Sequence, residues 1–241
     1  MVKGLSGFKE WFRGYENNYA VIGGTACDLL LNEASLTFRV TKDIDMVLIV
    51  EALSSEFGAK FWEYVKIAGY EHRRKSTSAP EFYRFTKPKS NDYPSMIELF
   101  TRRIEGICLP DDAVLTPLPI EDDISSLSAI LLDSDYYEFL KSGVIILDGI
   151  PILDAARLIP FKARAWLDLS VRRKRGEQID SKNIRKHKSD ILQLYNLLPA
   201  DLRITLPEVI REDMSAFISE NITDNNMQLM HIAKVYGLYI L

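Results

Sequence analysis

Histidine and cysteine are scarce in this chain, with three and two residues respectively among 241. The cysteines, Cys27 and Cys108, have no CxxC partner and no histidine-rich neighbourhood. Neither a zinc motif nor a disulfide framework is supported, and buried packing is the default for both. His72 and His231 stand without a paired ligand and read as ordinary surface or core histidines. Long apolar runs are missing too: none approaches the length that crosses a bilayer, and the opening MVKGLSGFKEWF lacks the apolar core of a secretion signal. The expectation is a cytoplasmic protein with no membrane partner.

What is present is ordinary in bulk, with 47% hydrophobic and 27% charged residues, as in a globular protein of one large domain or two small ones. The net charge of −4 hides an asymmetry. Between Lys162 and Lys188 stand ten Lys or Arg residues and His187 against Asp168, Glu177 and Asp180, whereas the stretch from Asp111 to Asp135 is acidic. A basic segment of this kind suits a triphosphate or an RNA backbone, and equally a solvated helix face with a basic last turn.

The stretch Tyr19 to Val50 organises the rest. A short apolar run, Tyr19 to Ile22, breaks at Gly23-Gly24-Thr25. Ala26, Leu29, Leu30 and Ala34 then return at helical spacing, and a second apolar run opens with Asp43 and Asp45 at its mouth. The pattern predicts strand, glycine turn, helix and a strand carrying two acids. Strand periodicity puts Asp43 and Asp45 on one face, with Ile44 on the other. Paired carboxylates repel, and a divalent cation relieves them; Mg²⁺ takes one or two carboxylates and leaves its other positions to water and substrate phosphates. The glycines let a phosphate approach the backbone, and the helix they open presents amides and a positive dipole end. Thr25 supplies an N-cap or one more donor.

Residues 5 to 16 read as a short helix with Phe8, Trp11 and Phe12 on one side, packed against the sheet; downstream, the periodicity predicts a helix over Ser54 to Gly69 that buries Phe57, Phe61, Trp62, Val65 and Ile67. Glu71 to Lys75 and Phe82 to Lys87 read as a strand pair around a turn at Ser76 to Pro80. Met96 to Phe100 is an apolar strand with Glu98 in its middle, a burial problem unless the carboxylate has a partner. Arg102 or Arg103 could pair with it or with Glu105, or neutralise phosphate, and the strand could instead be an edge with Glu98 facing water. Leu109 to Asp123 reads as a surface connection and Ile124 to Leu140 as a helix. Asp148-Gly149 joins two apolar runs, Val144 to Leu153, into a hairpin that should close the sheet. From Asp154 onward only helical patterns remain: Asp154 to Arg175, Ser181 to Leu198, Pro207 to Glu220 and Asn225 to Tyr239. The fold class expected is α+β, a mixed sheet flanked by helices over residues 1–153 and a C-terminal helical lobe over 154–241, with a site in the cleft between them.

In its order of strand, Gly-Gly, helix and acid-apolar-acid triplet the chain resembles the polymerase-beta-like nucleotidyltransferase superfamily. Gly23-Gly24-Thr25-Ala26 followed by Arg39-Val40-Thr41-Lys42-Asp43-Ile44-Asp45-Met46 looks most like the AbiEii and MenT branch, toxins of abortive-infection and toxin–antitoxin systems. The resemblance implies Mg²⁺ (or Mn²⁺)-dependent transfer of a nucleoside monophosphate from an NTP to an acceptor hydroxyl. It implies Asp43, Asp45 and Glu98 as catalytic and metal-holding acids, and Gly23, Gly24, Thr25 and Arg39 at the nucleotide phosphates. Phe161-Lys162-Ala163-Arg164-Ala165-Trp166 and Arg185 to Ile191 look like that branch's second-lobe pair. By this likeness Lys162 contacts the triphosphate and Asp190 fixes the lysine or binds base or sugar. The implied partners are the NTP, RNA such as a tRNA end, and a cognate antitoxin protein. A small-molecule acceptor, as in aminoglycoside nucleotidyltransferases, is the nearest enzymatic rival, and an inactive nucleotide-binding or protein-interaction module the rival from another class.

Overall fold

The apolar runs form strands where the sequence places them. In a computed structural model that describes residues 2–71, 82–100, 133–222 and 227–238, α1 (Leu5–Trp11) precedes β1 (Tyr19–Ile22), α2 (Gly23–Glu33) and β2 (Asp43–Leu48). Then come α3 (Ser55–Ala68), β3 (Phe82–Thr86) and β4 (Met96–Phe100). The helix α4 (Ser134–Lys141) and the hairpin β5 (Val144–Leu147) and β6 (Ile150–Leu153) follow. The chain continues through α5 (Ala155–Lys174), α6 (Ser181–Leu194), α7 (Glu208–Asn221) and α8 (Met227–Val235). No helix among the described residues is long and apolar enough to cross a membrane.

The six strands form one mixed sheet in the order β3-β4-β2-β1-β6-β5. The β2/β4 and β1/β6 pairs are parallel, and β3/β4, β1/β2 and β5/β6 are antiparallel. The expected α+β class with a mixed, helix-flanked sheet therefore holds. Asp148 and Gly149 both take positive φ, 47° and 72°, as a tight two-residue hairpin requires, and β6 pairs with β1 as the closing hairpin. Of the predicted pair around 76–80, only Phe82–Thr86 and a bridge from Glu71 to Thr86 are described; residues 72–81 lie outside. So do 101–132, which hold Cys108, Arg102, Arg103, the surface connection and the first part of the helix expected from Ile124.

Chain folding divides into two compact units. The first takes its described residues from 2–100 together with Val144–Leu153, and the second from 133–143 and 154–238. The helix α4 thus goes with the helical unit, although it precedes the hairpin in sequence and falls within the 1–153 expected for the sheet.

In the first unit the sheet face that carries Tyr19, Met46 and Ile97 is covered by aromatics. Phe8 and Phe12 lie 4.7 Å apart between ring centroids, Phe12 and Tyr64 5.4 Å, and Phe61 and Phe85 5.5 Å. Ser54 caps α3 by accepting from the Phe57 amide at 3.2 Å, and Gly69 closes it at φ 66°. Its buried stripe is Phe57, Phe61, Tyr64, Val65 and Ala68, which keeps Phe57, Phe61 and Val65 of the expected side, adds Tyr64 and Ala68, and leaves Trp62 half-buried. Ile67 is 39% exposed because the aromatic cluster recruits Tyr64, edge-on to Phe8, one turn along.

The described elements of the second unit are all helices. Asp154 caps α5 through the Arg157 amide at 2.8 Å. Pro160 sits inside α5 and cannot donate to the Ala156 carbonyl four residues back. The Tyr236 hydroxyl donates to that carbonyl instead, at 2.5 Å. Asp213 on α7 accepts from Tyr136 of α4 at 2.8 Å and from Arg164 of α5 at 2.5 Å, tying three helices together.

Candidate active site

The glycine elbow and the acid strand meet. Register pairs Ile22 with Asp45, so the turn out of β1 falls beside the mouth of β2. Gly23 has φ 68°, and a Cβ there would lie 1.7 Å from Asp45 Oδ2 and 2.7 Å from its carboxyl carbon. Only glycine lets this carboxylate rest against the backbone. A Cβ on Gly24 would meet Thr41 Oγ1 at 2.8 Å and Arg39 Nη2 at 3.3 Å, so the Arg39 and Thr41 side chains border the second glycine. Arg39 also lies 4.8 Å from the centroid of Phe38.

Helix α2 begins at Gly23 with Ile22 in the N-cap position and no side-chain cap. Ile22 therefore offers these first amides no side-chain acceptor of its own. Thr25 is not the N-cap that was one of its two expected roles. Its hydroxyl, fully buried, donates to the Asp43 carbonyl at 2.5 Å and pins the start of β2 to the helix.

Asp43 and Asp45 alternate with buried Ile44 and Met46, and all of Asp43, Asp45 and Glu98 are half-buried. Parallel pairing matches Asp45 with Glu98, which puts the three acids on one face of the sheet. Two half-buried carboxylates at a strand mouth, next to uncapped helix amides, fit a hard divalent cation that keeps positions for water and phosphate oxygens. A shell of three carboxylates is not assembled: no group of three or more potential metal-ligating side chains exists among the described residues.

Glu98 is engaged elsewhere. Arg84, its register partner on β3, places Nε 2.7 Å and Nη2 2.6 Å from Oε1. This answers the burial problem of Glu98 with a residue the sequence had not singled out. The edge-strand alternative fails, because β4 lies between β3 and β2. Arg102 and Arg103, the expected partners, fall outside the described residues. No motif marks Arg84; only the register of β3 against β4 reveals it.

In the second unit, Lys162 of α5 and Asp190 of α6 form an ion pair at 2.8 Å, with side chains 6% and 1% exposed. The basic segment is partly compensated within that unit. Arg172 reaches Glu177 at 2.6 Å and Lys174 reaches Glu220 at 2.9 Å, while Arg173, Arg175, Arg185 and Lys186 are exposed.

No protein-family model matches the chain. No curated protein matches it. Among solved structures, the antibiotic-resistance factor ANT(2'')-Ia is similar over 90% of this chain and 88% of its own, at 12% identity and a TM-score of 0.37. The Megavirus polyadenylate synthase is similar over 90% of this chain at 15% identity and a TM-score of 0.41, and the chain spans 36% of that protein's length. At these values neither likeness bears on what this chain does.

Proposed function

We propose that the protein is a divalent-metal-dependent nucleotidyltransferase, moving a nucleoside monophosphate from an NTP to an acceptor hydroxyl with release of pyrophosphate. One observation carries the reading: the Asp45 carboxylate rests against Gly23, at the uncapped start of a helix. A single polyphosphate can then touch the helix amides and share a cation with Asp43 and Asp45. Gly23 and Gly24 let Asp45, Thr41 and Arg39 close on the start of the helix, where Arg39 supplies positive charge and Thr25 fixes the Asp43 backbone. Mg²⁺ or Mn²⁺, when bound, would offset charge on the attacking and leaving oxygens. The acceptor oxygen forms its bond to the α-phosphorus, the bond to pyrophosphate breaks, and the acceptor proton passes to a carboxylate. Lys162, paired with Asp190, is assigned to the nucleotide by the sequence resemblance alone.

The acceptor we favour is RNA, for which the exposed arginines and lysines of α5 and α6 are the physical support. A toxin role, a tRNA end as target and a cognate antitoxin follow from the AbiEii and MenT resemblance only. The test is incubation with each α-labelled NTP, Mg²⁺ or Mn²⁺ and total RNA. Label on RNA, with acceptor affinity falling steeply as salt rises, supports the reading. Label only on a small hydroxyl compound points to the antibiotic-type rival. Metal-dependent NTP binding with no product points to a binding module.

A further inference from the structure

Arg84, Glu98 and Asp45 occupy one register row across β3, β4 and β2. Facing the same side in adjacent strands, Glu98 and Asp45 would repel each other if both carboxylates turned inward. They lean apart. Glu98 offers Oε1 to the guanidinium on β3, and Asp45 turns Oδ2 to Gly23 on the β1 side of its own strand. The Arg84 and Glu98 side chains are only 29% and 12% exposed, so the pair is weakly screened and held by two charge-assisted bonds. To ligate a metal shared with Asp45, Glu98 would have to swing Oε2 back from β3 toward Asp45 while Oε1 stays with the arginine. A cation of the magnesium type does not require this, since one or two carboxylates suffice.

The order of the row also assigns flanks. The glycine elbow lies on the β1 side of Asp45, and the Arg84–Glu98 pair lies on the opposite side. If the polyphosphate takes the elbow, the incoming hydroxyl arrives on the flank of the pair. Resting on the nucleotidyl-transfer reading, we infer that Arg84 is a positioning residue that holds Glu98 outside the metal's coordination shell, as the acceptor-side carboxylate. The bonds from Arg84 use Oε1, which leaves Oε2 to take the proton of the acceptor hydroxyl as its oxygen bonds to the α-phosphorus and pyrophosphate departs.

Mn²⁺ binding read by electron paramagnetic resonance, in the presence of an NTP with a non-cleavable α,β-bridge, separates the roles without turnover. Glu98→Gln should hold Mn²⁺ within about twofold of the unaltered protein, whereas Asp45→Asn should lose about tenfold or more. Glu98→Gln should nonetheless transfer far less NMP. Arg84→Met should lower kcat and raise the acceptor KM while leaving the NTP KM unchanged, with Arg84→Lys recovering part of the loss. If Glu98→Gln weakens Mn²⁺ as much as Asp45→Asn does, or Arg84→Met leaves kcat intact, the inference is overturned. Retention of Mn²⁺ by Asp45→Asn would overturn the nucleotidyl-transfer reading itself. Should Glu98→Gln not fold, the apolar double replacement Arg84→Met/Glu98→Met removes both charges together and keeps the Mn²⁺ measurement possible.

Discussion

The backbone of Gly23 and the carboxylate of Asp45 share one space: a methyl group on the glycine would lie 1.7 Å from Oδ2 of the aspartate. The glycine is thus required twice, for its left-handed φ of 68° and for the room it leaves.

Gly23→Ala should therefore cost about 2 kcal/mol or more of stability from the backbone alone. It should also displace Asp45 and weaken divalent-cation binding. Chemical denaturation and a Mn²⁺ titration on the same preparation check both halves. A variant of unchanged stability with unchanged Mn²⁺ affinity contradicts the elbow described.

A second prediction concerns the helical unit, where the Tyr236 hydroxyl serves the carbonyl of Ala156 that Pro160 leaves without a helical donor. Tyr236→Phe should destabilise by about 1–3 kcal/mol, the cost of an unsatisfied buried acceptor. Adding Pro160→Ala should return part of that loss, because the residue 160 amide then bonds to Ala156. Denaturant midpoints of the single and double variants form the cycle. Simple additivity would show that the two residues do not serve the same carbonyl.

The Lys162–Asp190 pair is nearly dry, so removing one partner strands the other. Lys162→Met and Asp190→Leu should each cost about 3–5 kcal/mol, and the double replacement less than their sum. The nucleotide assignment is tested on the folded double variant: NTP affinity should drop. An unchanged affinity would leave the pair a structural element of the helical unit.

How much of this was legible in the sequence depends on the range of the interaction. The strands Tyr19–Ile22 and Met96–Phe100, the hairpin at Asp148-Gly149 and the helices expected over Ser54 to Gly69 and from Asp154 are local, set by period, turn chemistry and capping, and all stand where expected. The buried stripe of α3 was misread at Ile67 because it depends on which aromatics arrive from α1, a tertiary choice. Arg84 was invisible for the same reason: it faces Glu98 only through the β3/β4 register, which two short apolar strands do not announce. Thr25 was read as a cap or ligand because Thr after a glycine turn suits both, and only the approach of β2 shows its hydroxyl bonded to the Asp43 carbonyl.

Alkaline pH should unfold the protein cooperatively. Burial above all, aided by Glu16 at Tyr19, by neighbouring tyrosines at Tyr64 and Tyr70, by Asp213 at Tyr136 and by Asp154 at Tyr236, raises these five hydroxyls above the ordinary tyrosine range. Above the unfolded value of about 10 the unfolded chain loses these protons while the folded chain keeps them, so stability falls as pH rises, by up to about 1.4 kcal/mol per pH unit for each group. Denaturation midpoints across the alkaline range measure the slope. A flat profile above the unfolded tyrosine value would contradict the burial of these hydroxyls.

The most direct test of the whole account is NMP transfer by Asp43→Asn, assayed with labelled NTP, Mg²⁺ and RNA on protein whose thermal unfolding matches the parent. The account predicts a folded protein in which transfer falls by about a hundredfold or more, since a metal-holding carboxylate should matter at least as much as the partners that orient it. Undiminished transfer by that folded variant would contradict it.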